Sequence, residues 1–126
     1  MDSRNQEALV TLLLAITDQL VDGPAERARR AQELLPRLQD EYKRLYYAGI
    51  ICERTAKAHL RRGAIGSGEL AYHWFRDAMD WYEKAEARRP AGNDEPILRW
   101  NTCARILARN EHIRPRDEEP VSPGSE

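Results

Sequence analysis

Cysteine is scarce in this 126-residue chain: only Cys52 and Cys103 occur, and neither belongs to a Cys-x-x-Cys pair. A zinc ribbon is thereby excluded, and two cysteines make a weak case for the disulfide framework that small secreted domains build from four or more. Lysine is also rare, three against 17 arginines, and the 20 basic residues are matched by 21 acidic ones. A dedicated nucleic-acid or membrane-surface binder would carry a basic excess, so neither partner is expected. No apolar run approaches the ~20 residues that span a bilayer. The densest, "ALVTLLLAI" (8–16), is preceded by Asp2, Arg4 and Glu7, which sum to minus one. A signal peptide wants a positive start, so the run reads as the core face of an amphipathic helix in a cytoplasmic protein. Strand signals are missing too, since β-branched residues are few and nothing alternates with period two. There is no phosphate loop: "GAIGSG" (63–68) lies between two helical segments and lacks the lysine.

Helical periodicity fills the chain instead, and punctuation divides it into about four helices, one of them long. The first is predicted from Ser3, where "SRNQ" offers a capping box, with Leu9, Leu13, Ile16 and Leu20 on one face and Gly23 as the stop. Pro24 suits the first position of the next helix. The second segment runs to about Arg62 with Ala31, Leu35, Leu38, Tyr42, Leu45, Gly49, Cys52 and Ala56 as one seam, steps of four and three alternating. Pro36 interrupts it, and the lack of a glycine there predicts a kink in one long helix. A glycine-rich turn (61–69) leads to a third helix over about Gly68–Arg89. A fourth follows "PAGND", with Asp94 as its cap, Pro96 in its first turn and its end near His112. Residues 1–113 read as one helical domain. The remainder, 114–126, has three prolines and four acids and reads as a disordered tail, because it has nothing to bury against the entropy of ordering.

Within the third segment, Ala78, Tyr82, Ala85 and Pro90 follow at steps of four, three and five. This resembles the second helix of a tetratricopeptide repeat, where small residues admit a neighbouring backbone and a ring fills the space one turn on. "LYYAGIIC" (45–52), through Leu45, Ala48, Gly49 and Cys52, is similar to the first helix of such a pair. "WNTCARIL" (100–107) repeats the scheme with Trp100, Cys103, Ala104 and Leu107. The resemblance covers residues 42–110, one helix pair plus the first helix of another. Its spacing is irregular: 29 residues separate Gly49 from Ala78, and no 34-residue period runs through the chain. The fold expected is all-α, built of antiparallel helix hairpins, as a tetratricopeptide-like array or a four-helix bundle.

Chemistry-bearing groups are few. Glu69, His73 and Asp77 share a helical face, but one helix offers at most three ligands and no second segment completes a set, so no metal is expected. Cys52 and Cys103 lie in apolar seams, where a thiol behaves as a small hydrophobe, and His59, His73 and His112 share no motif. The arginine doublets at 61–62 and 88–89 complement helix C-termini. Glu26–Arg30, Glu33–Arg37, Glu53–Lys57 and Asp80–Lys84 are acid-before-base pairs of exposed helices. Trp74, Phe75, Trp81 and Tyr82 point to both sides of the third helix, which places it between two neighbours.

The expectation is therefore a non-catalytic protein-interaction module without cofactor or metal. The resemblance implies a groove lined by the first helices of successive pairs, holding a peptide or a partner helix. The outward positions beside the packing residues are Tyr46, Glu53 and Arg54 on the earlier helix and Asn101, Arg105 and Arg109 on the later one. Asn101 suits a peptide backbone, and the two arginines suit a carboxylate. The alternative is a self-associating bundle, a homo-oligomer paired through the seam of residues 31–56 or through the leucine-rich first helix.

Overall fold

The computed structural model describes residues 3–20 and 26–115, and among these it has five α-helices and no strand. The first, α1 (Ser3–Asp18), closes with a tight turn in which the Gln19 and Leu20 amides donate to the Ile16 and Thr17 carbonyls, both at 3.1 Å. Leu9, Leu13, Ile16 and Leu20 are buried, as their spacing predicts. Gly23 and Pro24 lie outside the described residues. Gln6 does not act as the second half of a capping box. Its amide nitrogen donates to the Arg37 carbonyl at 3.2 Å and its oxygen accepts from the Gln39 amide at 2.8 Å. The side chain thus pins α1 to the backbone ahead of the third helix.

That backbone is where the sequence reading needs correction. The long helix expected up to Arg62 is two helices, α2 (Glu26–Leu34) and α3 (Glu41–Arg62), separated by a 3-10 turn over Leu35–Arg37 and an extended Leu38. Pro36 removes an amide donor and its ring crowds the preceding turn, and the chain has somewhere to restart. The Asp40 carboxylate accepts from the Lys43 amide at 3.3 Å and caps α3. The single seam predicted for residues 31–56 is accordingly split. Ala31, Leu34 and Leu38 pack with α1, Leu35 is only half-buried, and Tyr46, Cys52 and Ala56 belong to a second cluster.

Gly63 ends α3 with φ +64°, a left-handed geometry in which a side chain is strained. After the short turn, α4 (Ser67–Arg88) runs back antiparallel to α3, and α5 (Glu95–Arg109) runs back antiparallel to α4. The α5 cap is not the Asp94 side chain: the Asn93 side-chain oxygen accepts from the Glu95 amide at 3.1 Å. The helix stops at Arg109, three residues short of the expected end, where the Asn110 side chain takes the Ile106 carbonyl at 2.7 Å. A turn then tucks Ile113 into the core beside Gly68, whose missing side chain leaves room for the His112 carbonyl. The tail from residue 116 lies outside the described residues.

Two apolar clusters share α3. One joins Ile51 to the leucines of α1 and α2, and the other joins Tyr46, Ile50, Cys52 and Ala56 to α4, α5 and Ile113. The α3–α4 contact is the tightest. Ala78, Tyr82 and Ala85 are fully buried, and the Tyr82 ring lies on Gly49, where a methyl group would stand 2.6 Å from Cδ1. Ala78, Tyr82 and Ala85 of "AMDWYEKAEARRP" (78–90) are thus packing residues between α3 and α4, while Ala87 is exposed. Phe75 and Tyr82 are buried, Trp74 and Trp81 half-buried at the flanks, and α4 lies between α3 and α5. No helix among the described residues is long and apolar enough to cross a membrane.

Candidate functional site: the two sides of the last helix

Six residues were singled out from the sequence, and the structure divides them. Tyr46 and Glu53 do not face outward. Tyr46 is buried in the α3–α4 core, with its hydroxyl donating to the Glu95 carboxylate at 3.2 Å. Glu53 is 0 % exposed. The reason is that α3 is covered by α1 and α2 on one side and by α4 and α5 on the other, so it has hardly an outer face to offer. Arg54 is half-buried and turned towards α1, paired with Asp18 at 2.7 Å. Asn101, Arg105 and Arg109 are exposed together on the outer side of α5.

A buried carboxylate needs partners, and Glu53 has three. The Tyr82 hydroxyl donates at 2.6 Å, Lys57 Nζ lies at 2.9 Å and the Arg99 guanidinium at 3.5 Å. Burial pushes the carboxyl upward, but the Tyr82 hydrogen bond and the Lys57 and Arg99 charges outweigh it and hold Glu53 below its ordinary value. Tyr82 is driven strongly upward by its own burial and then by the adjacent carboxylate. Burial also pushes Tyr46 up to about 12, helped by the Glu95 charge. The cluster is a closed arrangement of satisfied groups that ties α3, α4 and α5 together. Lys57 and Arg99 reach it from its rim, with side chains 37 % and 36 % exposed.

Arg99 was missed from the sequence, although a signal existed. It precedes the packing residue Cys103 by four, so the two share the inward face of α5. Both cysteines are buried and free, and burial first, with the nearby acids Asp77 for Cys52 and Glu53 for Cys103, pushes each thiol up to about 12. Each is therefore a protonated thiol at neutral pH, unsuited to nucleophilic attack. Among the described residues no group of three or more His, Cys, Asp or Glu side chains could hold a metal ion.

The outer side of α5 is of different character. Leu98, in the first turn of the helix, is 61 % exposed, and Asn101 and Arg105 follow it on the exposed side. Beside it, a groove of about 410 Å³ runs between α4 and α5, lined by Glu83, Glu86, Ile97, Trp100 and Asn101. The Trp100 indole donates to Glu83 at 3.0 Å, which holds the ring as the half-buried floor of this groove. Arg105 spends one nitrogen on the Thr102 hydroxyl at 3.3 Å, leaving other donors of its fork directed outward. The seam of residues 31–56, the alternative pairing surface, is by contrast used within the chain: Ala31, Leu38, Cys52 and Ala56 are all buried.

No family model matches this chain, and neither curated proteins nor solved structures give a match.

Proposed function

We propose that the protein is a non-catalytic interaction module whose α5 presents a docking face for a partner helix. In this reading α3 and α4 are a complete helix pair of tetratricopeptide-like kind, and α5 is the first helix of a second pair whose other half a partner supplies. The observation that carries it is the exposure of Leu98 at the start of a face continued by Asn101, Arg105 and Ala108, beside a groove floored by Ile97 and Trp100. An isolated exposed leucine is ordinary on a protein surface, but one flanked by a half-buried tryptophan, an isoleucine and outward-facing polar donors has the make-up of an interface centre with a polar rim. The docking face therefore consists of Leu98, Asn101 and Arg105, with Arg109 at its end. Two buried free thiols and the lack of a membrane-crossing helix among the described residues fit a reducing, cytoplasmic setting.

The test is affinity capture with the intact chain and with a Leu98→Asp, Asn101→Ala, Arg105→Ala variant, whose folding is checked by circular dichroism. Proteins retained by the intact chain and lost by the folded variant support this reading. Identical retention by both overturns it.

A further inference from the structure

We infer that the cleft where α2 and α4 flank α3 is a binding site for a phosphate monoester carried on a single aromatic ring. No residue of α5 lines it, so it is independent of what docks there. On α3, Ala58, His59 and Arg62 lie within about one turn of each other, and on α2 so do Arg29 and Gln32. Trp74 enters from α4. Ala58 is buried and ends at its methyl group, which leaves a depression of about 260 Å³ between the two flanking helices. Junctions between packed helices are common places for small-ligand sites.

What lines this cleft is a surplus of donors. None of its lining residues is acidic, in a chain with 21 acids against 20 bases, whereas the groove between α4 and α5 holds Glu83 and Glu86. Among the described residues, the side chains of Arg29, Gln32 and His59 and the Trp74 indole nitrogen have no hydrogen-bond or ion-pair partner. Arg62 has an interaction of its own within the chain, and its fork of five donors can serve a further acceptor. Burial, and then the Arg62 charge, hold the His59 imidazole below its ordinary value, so the ring is neutral near pH 7 and offers one N–H. A phosphate monoester brings three strong acceptor oxygens and a charge of about −1.5 to −2, which suits several donors converging from two helices. Guanidinium forks match phosphate geometry, and a carboxylate has one oxygen fewer to share among them. The half-buried Trp74 indole gives an aromatic neighbour for a flat ring. The volume lies just below the ~300 Å³ at which pockets for drug-sized ligands begin, so one ring fits beside the phosphate and little more.

Isothermal titration calorimetry of the intact chain with phenyl phosphate near pH 7 reads the site directly. Its Kd should be about 100 µM, with inorganic phosphate and benzoate each about tenfold weaker or worse. Arg29→Gln, at an exposed position, should weaken phenyl phosphate by about tenfold, and Arg62→Gln by a similar factor. Trp74→Leu, with its fold checked by circular dichroism, should abolish the preference over inorganic phosphate. Arg30 is exposed on the same helix and does not line the cleft, so Arg30→Gln should change nothing. No binding at about 5 mM phenyl phosphate overturns the proposal, as does benzoate or inorganic phosphate binding as tightly. Unchanged affinity in Arg29→Gln, or equal weakening in Arg29→Gln and Arg30→Gln, overturns it too. A peptide bearing phosphotyrosine separates the two sources of such a group. Binding about tenfold tighter than phenyl phosphate assigns the ring to a partner's side chain, and equal or weaker binding assigns it to a free small molecule; either upholds the site.

Discussion

Tyr82→Phe is the most discriminating single substitution, because it deletes one oxygen and keeps the ring that covers Gly49. In the folded protein that oxygen donates at 2.6 Å to a carboxylate with no access to water. A hydrogen bond to a charged group is worth about 1.5–3 kcal/mol, and its loss here is not made good by solvent. Lys57 and Arg99 remain, so Glu53 is weakened and not abandoned, and a cost of about 2 kcal/mol is the reasonable centre of that range. For a domain of this size it corresponds to a fall in Tm of about 8 °C. The pH dependence is the sharper test. Glu53 is held below its ordinary value, so its stabilisation is complete above the unfolded carboxyl range and is lost as pH falls through the lower folded value. Removing the largest downward influence lets burial raise the carboxyl. The gap between the two proteins should then be widest near pH 7 and shrink to about 1 kcal/mol in acid, where Glu53 is protonated in both and only a neutral hydrogen bond distinguishes them. Urea titrations of both proteins from neutral to acid pH measure it. A gap below about 0.5 kcal/mol at pH 7, or one that does not narrow in acid, would refute the account of Glu53 as a buried anion anchored by Tyr82.

Other consequences are quicker to check. Gly49→Ala should destabilise by about 1–2 kcal/mol despite the better helix propensity of alanine, because the new methyl meets the immobile Tyr82 ring; urea unfolding that showed a gain would disprove the close approach. Asp40→Ala should cost about 1 kcal/mol through loss of the α3 cap, and a silent substitution would mean that the 3.3 Å bond to the Lys43 amide carries no weight. Glu53→Ala should be worse than Tyr82→Phe, about 3–5 kcal/mol, since it leaves the Tyr82 hydroxyl without its acceptor and opens a cavity, and thermal unfolding reads the order. Cys52 and Cys103, with thiols pushed up to about 12, should resist alkylation at pH 8 until denaturant is added; mass spectrometry showing a modified native chain would contradict their burial.

Much of the fold was legible because its signals are local. The glycine-rich turn places α4 within one residue, and Gly49, Ala78, Tyr82 and Ala85, picked out by their small and aromatic spacing, all lie buried where α3 meets α4. What escaped depends on tertiary surroundings. Pro36 could kink or break a helix, and the outcome was decided by Asp40, whose cap makes a restart inexpensive. Glu53 was placed outward because it follows the seam residue Cys52, yet "GIIC" (49–52) is four consecutive apolar or small residues, the mark of a helix covered on all sides. Gln6 matched a capping box by spacing, but the unpaired backbone near Leu38 was the stronger claimant on its amide.

The buried network and the outer face are two results of one rotation. Leu98 and Arg99 are adjacent in the chain and point about 100° apart around α5. Arg99 is drawn in by Glu53, while Glu95, one turn earlier, takes the Tyr46 hydroxyl. These two polar ties fix the roll of α5 on α3 and α4, and the roll fixes which side chains meet solvent. With Arg99 held inward, Leu98, Asn101 and Arg105 have only the outer side to occupy. An all-apolar inner face would let α5 turn by a residue at little cost, whereas a buried anion accepts only one placement of its cations. Replacing Arg99 by leucine should therefore leave the helix folded but free its roll. Quenching of Trp100, whose indole is held on Glu83 only in the present orientation, should rise in the variant. Unchanged Trp100 quenching, with the fold intact, would show that apolar packing alone sets the orientation of α5.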